Sequence, residues 1–138
     1  MQKILVGLDG SKNAFKALAE GIRLARFYDA PLHTVSVEAI LRFPETISEV
    51  MEEKDYEDSK YEKIIEQAQA VAAAEGCTLN PHLLLGHEVK AMIEFIREHD
   101  IDLLIIGFLG VSAIYERVMG STCASLVRLA PCSVLVVK

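Results

Sequence analysis

Between Leu103 and Thr122 the sequence reads LLIIGFLGVSAIYERVMGST, and its glycine spacing leaves few folds open. The apolar run Leu103 to Ile106 is too short for a helix and ends at Gly107, which reads as a buried strand. Gly110 follows after two residues, and nine more separate it from Gly120-Ser121-Thr122, where a helical pattern begins. Strand, glycine loop and helix start together make an anion-binding arrangement. Gly107 lacks a Cβ and lets a ligand approach the backbone; Gly110 can take positive φ where the chain must turn. Gly120 frees the entry into the helix, and Ser121 and Thr122 set hydroxyls beside its unpaired N–H groups. Those donors and the helix dipole favour a phosphate. The competing reading is plainer: the glycines only turn the chain, and Ser121 only caps the helix.

The remainder alternates short strands with helices. Lys3 to Leu8 is a strand ending in Asp9-Gly10-Ser11, with Ser11 capping a helix whose Phe15, Leu18, Ile22, Leu24 and Ala25 fall on one side. Leu32 to Val37 reads as a second strand. After Phe43-Pro44 comes a helical stretch from about Thr46 to Glu75. Its second half has clear periodicity through Tyr61, Ile64, Ile65, Ala68, Val71 and Ala72. Residues 52–60 (EEKDYEDSK) are too polar to bury a face and suggest a solvated helix start or a mobile connection. Gly76 closes the helix, and Thr78 to Leu85 is a third strand that Pro81 consigns to a sheet edge. A helix follows, with Val89, Met92, Ile93 and Ile96 on one face, ending near His99. Leu103 to Ile106 is the fourth strand, about Thr122 to Leu129 the last helix, and Cys132 to Val137 the fifth strand. This is a doubly wound α/β sheet, five-stranded and parallel, with helices on both faces, in a single domain spanning 1–138.

Composition narrows the function. Fourteen Lys and Arg against 20 Asp and Glu give a net charge of −6, which argues against a nucleic-acid or anionic-membrane surface. No apolar run approaches the roughly 20 residues of a membrane span, and no leader precedes the first strand, so a cytoplasmic location is expected. Cys77, Cys123 and Cys132 lack metal-ligand spacing and read as buried hydrophobes. His33, His82, His87 and His99 are scattered over two strands, a turn and a helix end, with no evident metal site.

The pattern of glycine, two residues, glycine, nine residues and Gly-Ser resembles the nucleotide-binding signature of the universal stress protein family. The opening KILVGLDGSKNAFKALAEGIRLAR and the closing APCSVLVVK resemble that family's first strand, turn and helix, and its last strand. The resemblance implies strand order 3-2-1-4-5, which brings Asp9 and Gly107 together at the switch point. It further implies an adenine nucleotide, ATP, ADP or AMP. The adenine is wedged by Val37 and the Leu8-Asp9 backbone, the ribose lies near Gly107, and the phosphates sit on N–H groups of Gly110 and of Gly120, Ser121 and Thr122. Asp9 is the candidate ligand, through water, for a Mg²⁺ ion. A homodimer through the Cys132 to Val137 edge strand is implied as well, in keeping with its apolar run.

The chain departs from the family where Phe108, Leu109 and Val111 stand in the glycine loop, in place of hydroxyl and basic residues. These suggest an exposed apolar contact surface, for a protein partner or for the loop itself. Glu116 and Arg117 cancel, so the loop adds no net positive charge. No P-loop, dinucleotide fingerprint or nucleophile elbow is present, so no catalytic residue is assigned and slow ATP hydrolysis is the most that is expected. Two readings stand: a nucleotide-binding stress or regulatory module, and a dimeric interaction module whose site holds no nucleotide.

Overall fold

The computed structural model describes residues 3–39, 47–110 and 119–138. The elements, in chain order, are β1 (Ile4–Gly7), α1 (Lys12–Tyr28), β2 (Leu32–Glu38), α2 (Ile47–Ala74), β3 (Leu79–Leu85), α3 (Glu88–Glu98), β4 (Leu103–Gly107), α4 (Ser121–Leu129) and β5 (Ser133–Val137). The five strands form one sheet in the order β3-β2-β1-β4-β5, and every neighbouring pair is parallel. The expected order is therefore the observed one, with Pro81 on the edge strand β3.

The central strands are apolar on both faces because both faces are covered. Ile4 and Val6 of β1, with Leu103 and Ile105 of β4, pack under α1 and α2 against Leu18, Ile22, Ala68 and Ala72. The alternate residues Leu5, Leu104 and Ile106 pack on the other side against Met92, Phe95 and Ile96 of α3 and Cys123 and Leu126 of α4. Side chains alternating across a strand thus feed two cores, one per face.

Helix faces depart from the sequence expectation in detail. Ala14, Ala17 and Gly21 share the buried side of α1, whereas Phe15 and Leu24 are only half-buried. On α2, Val71 is exposed although it continues the apolar period; Ala68 and Ala72 are fully buried, because small residues let the helix approach the sheet. The helix runs unbroken from Ile47, so the polar segment 52–60 is helical backbone. Phe43 and Pro44 lie outside the described residues. Gly76 ends the helical stretch at φ +69°, as a helix-closing glycine should.

The histidines are less scattered than the sequence suggests. β2 and β3 lie side by side, and His33 Nδ1 comes within 3.1 Å of His82 Nε2. Phe95 of α3 lies over His82 and stacks on His99, with ring centroids 4.7 and 3.9 Å apart. His99 is anchored at the helix end: its Nδ1–H donates to the Phe95 carbonyl, and its own carbonyl accepts from Lys3 Nζ. Among the described residues no group of three or more His, Cys, Asp or Glu is arranged to hold a metal ion.

Burial lowers the pKa of His33, helped by the positive ends of His82, Lys3 and His99; burial and then His99 lower that of His82. The unfolded chain therefore takes up protons at the ordinary histidine value while the fold resists them. The stability these rings contribute is complete above that value and is lost as pH falls through it toward the lowered one. The thermal midpoint is expected to drop between about pH 7.5 and about pH 5.5, and His82→Gln to flatten that drop. Parallel pH profiles for the two proteins would contradict this.

Candidate functional site

Because β4 pairs with β1, the chain leaves two adjacent strands toward opposite faces. β1 feeds α1 on one side, and β4 leads through the glycine loop to α4 on the other. A cavity of about 410 Å³ opens where they part, at the carboxyl ends of the strands. Every site residue expected from the sequence lines it. Leu8 and Asp9 come from the end of β1 and Val37 from β2; Gly107 and Gly110 come from the glycine loop, and Gly120, Ser121 and Thr122 from the start of α4.

The α1 and α4 starts facing the cavity differ in their caps. At α1 the Ser11 Oγ accepts from the Ala14 N–H, so a side chain already occupies one of the orphan donors. At α4 the N-cap is Gly120, which brings no side-chain cap; Ser121 is the first helical residue and not the cap. The Ala124 N–H reaches back to the Gly120 carbonyl at 2.9 Å, which closes the first helical turn. The N–H groups of Ser121, Thr122 and Cys123 thus have no acceptor within the helix. Gly120 itself is not a donor to ligand: its N–H donates to the Phe108 carbonyl at 3.0 Å. The amides left without an acceptor in the helix are therefore those of Ser121, Thr122 and Cys123, one residue along from the expected Gly120–Thr122.

The glycines serve ends other than those expected. A Cβ at Gly107 would lie 2.8 Å from the backbone and side chain of Asn13, so this glycine, which also lines the cavity, is needed to admit the first turn of α1. Gly110 does not take positive φ; that conformation belongs to Gly10, at +84°, in the β1–α1 turn. At Gly110 a Cβ would stand 3.1 Å from Asp9 Oδ2, so the loop and the Asp9 carboxylate are packed together. Gly120 has room, its nearest obstacle being the Phe108 carbonyl at 3.4 Å.

Hydrogen bonds tie the loop to the strands. Asp9 Oδ1 accepts from the Ser11 N–H at 2.9 Å, and Ser11 Oγ donates to the Leu109 carbonyl. Leu8 spends its N–H on the Val35 carbonyl, while its own carbonyl accepts from Ser36 Oγ at 2.6 Å. The Phe108 N–H donates to the Val137 carbonyl. Phe108 and Leu109 are half-buried rather than exposed, with Leu109 in the cavity wall. Val111, Glu116 and Arg117 lie outside the described residues.

Sequence reasoning missed Tyr61 and Glu88. Tyr61, buried on α2, donates its hydroxyl to the Val37 carbonyl at 3.1 Å and fixes the wall beside β2. Its place in the apolar period of α2 hid the polar end. Glu88 begins α3 and accepts from Thr122 Oγ1 at 3.3 Å. Burial of its carboxyl pushes its pKa up and Asp9 adds to that; the Thr122 hydrogen bond and His87 act the other way. A glutamate in a first helical turn looks like dipole complementation, so nothing in the sequence marked it.

The sequence model of the Universal stress protein family matches residues 1–138. Universal stress protein YxiE of Bacillus subtilis is 29% identical, over 99% of this chain and 98% of that protein. Among solved structures, the universal stress protein UspA from Lactobacillus plantarum is similar at TM-score 0.90 and 26% identity, covering 99% and 97% of the two chains. A universal stress protein solved in complex with cAMP is similar at TM-score 0.78 and 27% identity, with the same coverage.

The two glycine positions separate packing from binding. Gly107→Ala is expected to cost about 1–3 kcal/mol, because Asn13 backbone must move. Gly120→Ala is expected to cost less than about 1 kcal/mol. Urea titration of both variants checks this, and equal costs would contradict it.

Proposed function

The chain belongs to the universal stress protein family, and from that membership we propose that its cleft binds an adenine nucleotide and that the protein works as a regulatory or stress-response module. The observation that carries this reading is the α4 start: three N–H groups with no side-chain cap, facing a cavity of about 410 Å³, at a glycine-capped helix terminus. That volume falls within the usual range for small-molecule sites. The relative solved with cAMP supports an adenine nucleotide as the ligand class.

In this reading the phosphate accepts from Ser121, Thr122 and Cys123. The adenine lies toward Val37 and the buried Val35, where the wall is apolar. The Leu8 backbone already makes two internal hydrogen bonds, so adenine packs on it rather than being read by its N–H. ATP, ADP and AMP share these contacts. A Mg²⁺ ion bound with a polyphosphate would take Asp9 through water, and it would supply charge neutralisation. Slow hydrolysis is the most that such a site would support, with Asp9 positioned to orient water.

Dimerisation belongs to the same proposal. β5 is the edge strand next to β4, and Val134 to Val137 are half-buried rather than covered. Pairing with a second copy across a two-fold axis would complete the edge. The alternative of a nucleotide-free interaction module loses some support, because Phe108 and Leu109 are engaged within the fold.

Calorimetric titration of nucleotide-free protein with AMP and ATP, with and without Mg²⁺, tests the proposal. Saturable binding is expected from the wild type and a loss of at least about tenfold in Gly120→Val, whose branched side chain would crowd the loop beside the Gly110 N–H. An absence of binding by folded wild type, shown to carry no nucleotide from purification, would overturn it.

A further inference from the structure

The cleft holds two carboxylates as well as its amide donors, and the proposal that follows rests on the nucleotide-binding reading above. Asp9 stands on the β1 side, with Oδ1 held by the Ser11 N–H and Oδ2 against Gly110. Glu88 stands on the opposite side, at the first turn of α3, within hydrogen-bond reach of the Thr122 hydroxyl. Thr122 is the middle residue of the amide cluster of α4, so the Glu88 carboxylate lies one hydrogen bond away from where the first phosphate would sit. No Lys, Arg or His is among the described residues that line the cavity.

We propose that Glu88 is a specificity-determining residue of this cleft: it competes with ligand phosphate for the Thr122 hydroxyl and sets how much phosphate charge the site accepts. A single phosphate can be satisfied by the Ser121, Thr122 and Cys123 N–H groups and the helix dipole. Further phosphates must extend between Glu88 and Asp9, where each added charge is repelled from both walls. At an effective dielectric of about 20, unit charges several ångströms apart repel strongly enough to change affinity by about tenfold or more. A divalent cation bound with the polyphosphate would remove that penalty, since it offers both carboxylates a positive neighbour. Nucleoside monophosphates are thus the preferred ligands without metal, and triphosphates enter as their cation complexes.

The raised pKa of Glu88 is consistent with this, because its charge is already disfavoured by burial and by Asp9 before any ligand arrives. Other titratable groups nearby are His87 in the preceding turn, Tyr61 from α2 and Cys123 from α4.

The test is calorimetry with AMP and ATP, in chelator and in Mg²⁺, on wild type, Glu88→Gln and Thr122→Val. Glu88→Gln keeps an acceptor for Thr122 at the first turn of α3, so it is expected to leave the fold intact. In chelator it is expected to tighten ATP by about tenfold and AMP by less than about threefold, and Mg²⁺ is expected to narrow the difference. Thr122→Val removes a donor and leaves the carboxylate, so it is expected to weaken both nucleotides together. Equal changes for AMP and ATP in Glu88→Gln, or none, would overturn the specificity role and leave nucleotide binding standing. Failure of the wild type to bind either nucleotide would overturn both.

Discussion

Everything at the site depends on one pairing: β1, the first strand in sequence, lies beside β4, the fourth. The pairing is held by burial. Ile4, Leu5, Leu104 and Ile105 are all fully buried, and each strand feeds both cores. Because the chain then departs to opposite faces, a cavity opens between the described residues at the strand ends. The cleft follows from sheet topology before any polar residue is chosen. Its polar character follows from helix termini, since α1, α3 and α4 all begin at that end of the sheet.

Much of the architecture was legible because its signals were strong and local. Short apolar runs ended by Asp9-Gly10-Ser11 or by Gly107, Pro81 on an edge strand and Ser11 before a helical period each have one dominant physical meaning. Strand order was not in these signals; it came through resemblance, and the sheet agrees with it. That these residues would line one cavity was legible as a group, since glycine spacing at a strand-to-helix junction is specific. What each glycine does was not, because that depends on contacts far away in sequence. Asn13 explains Gly107, Asp9 explains Gly110, and positive φ falls on Gly10. Glu88 and the ring cluster of His33, His82, Phe95 and His99 escaped for the same reason: the sheet and α3 assemble them from separate segments.

As proposed, the site would balance attraction from fixed backbone dipoles against repulsion from carboxylates. Amide donors at a helix start cost no side-chain entropy on binding, so they suit a site whose described lining brings no basic residue. The hydrogen bond from Gly120 N–H to the Phe108 carbonyl and that from Phe108 N–H to Val137 also join the glycine loop to the end of β5. The loop that would touch phosphate is therefore attached to the sheet edge through which a dimer would form.

The central claim is that backbone N–H groups at the start of α4 receive a phosphate. The direct measurement is amide chemical-shift mapping of ¹⁵N-labelled protein titrated with AMP. Large, saturable shifts are expected at Ser121, Thr122 and Cys123, with smaller ones at Gly110 and Val37. Shifts that leave the α4 amides unmoved while others saturate would place the nucleotide elsewhere and contradict the account.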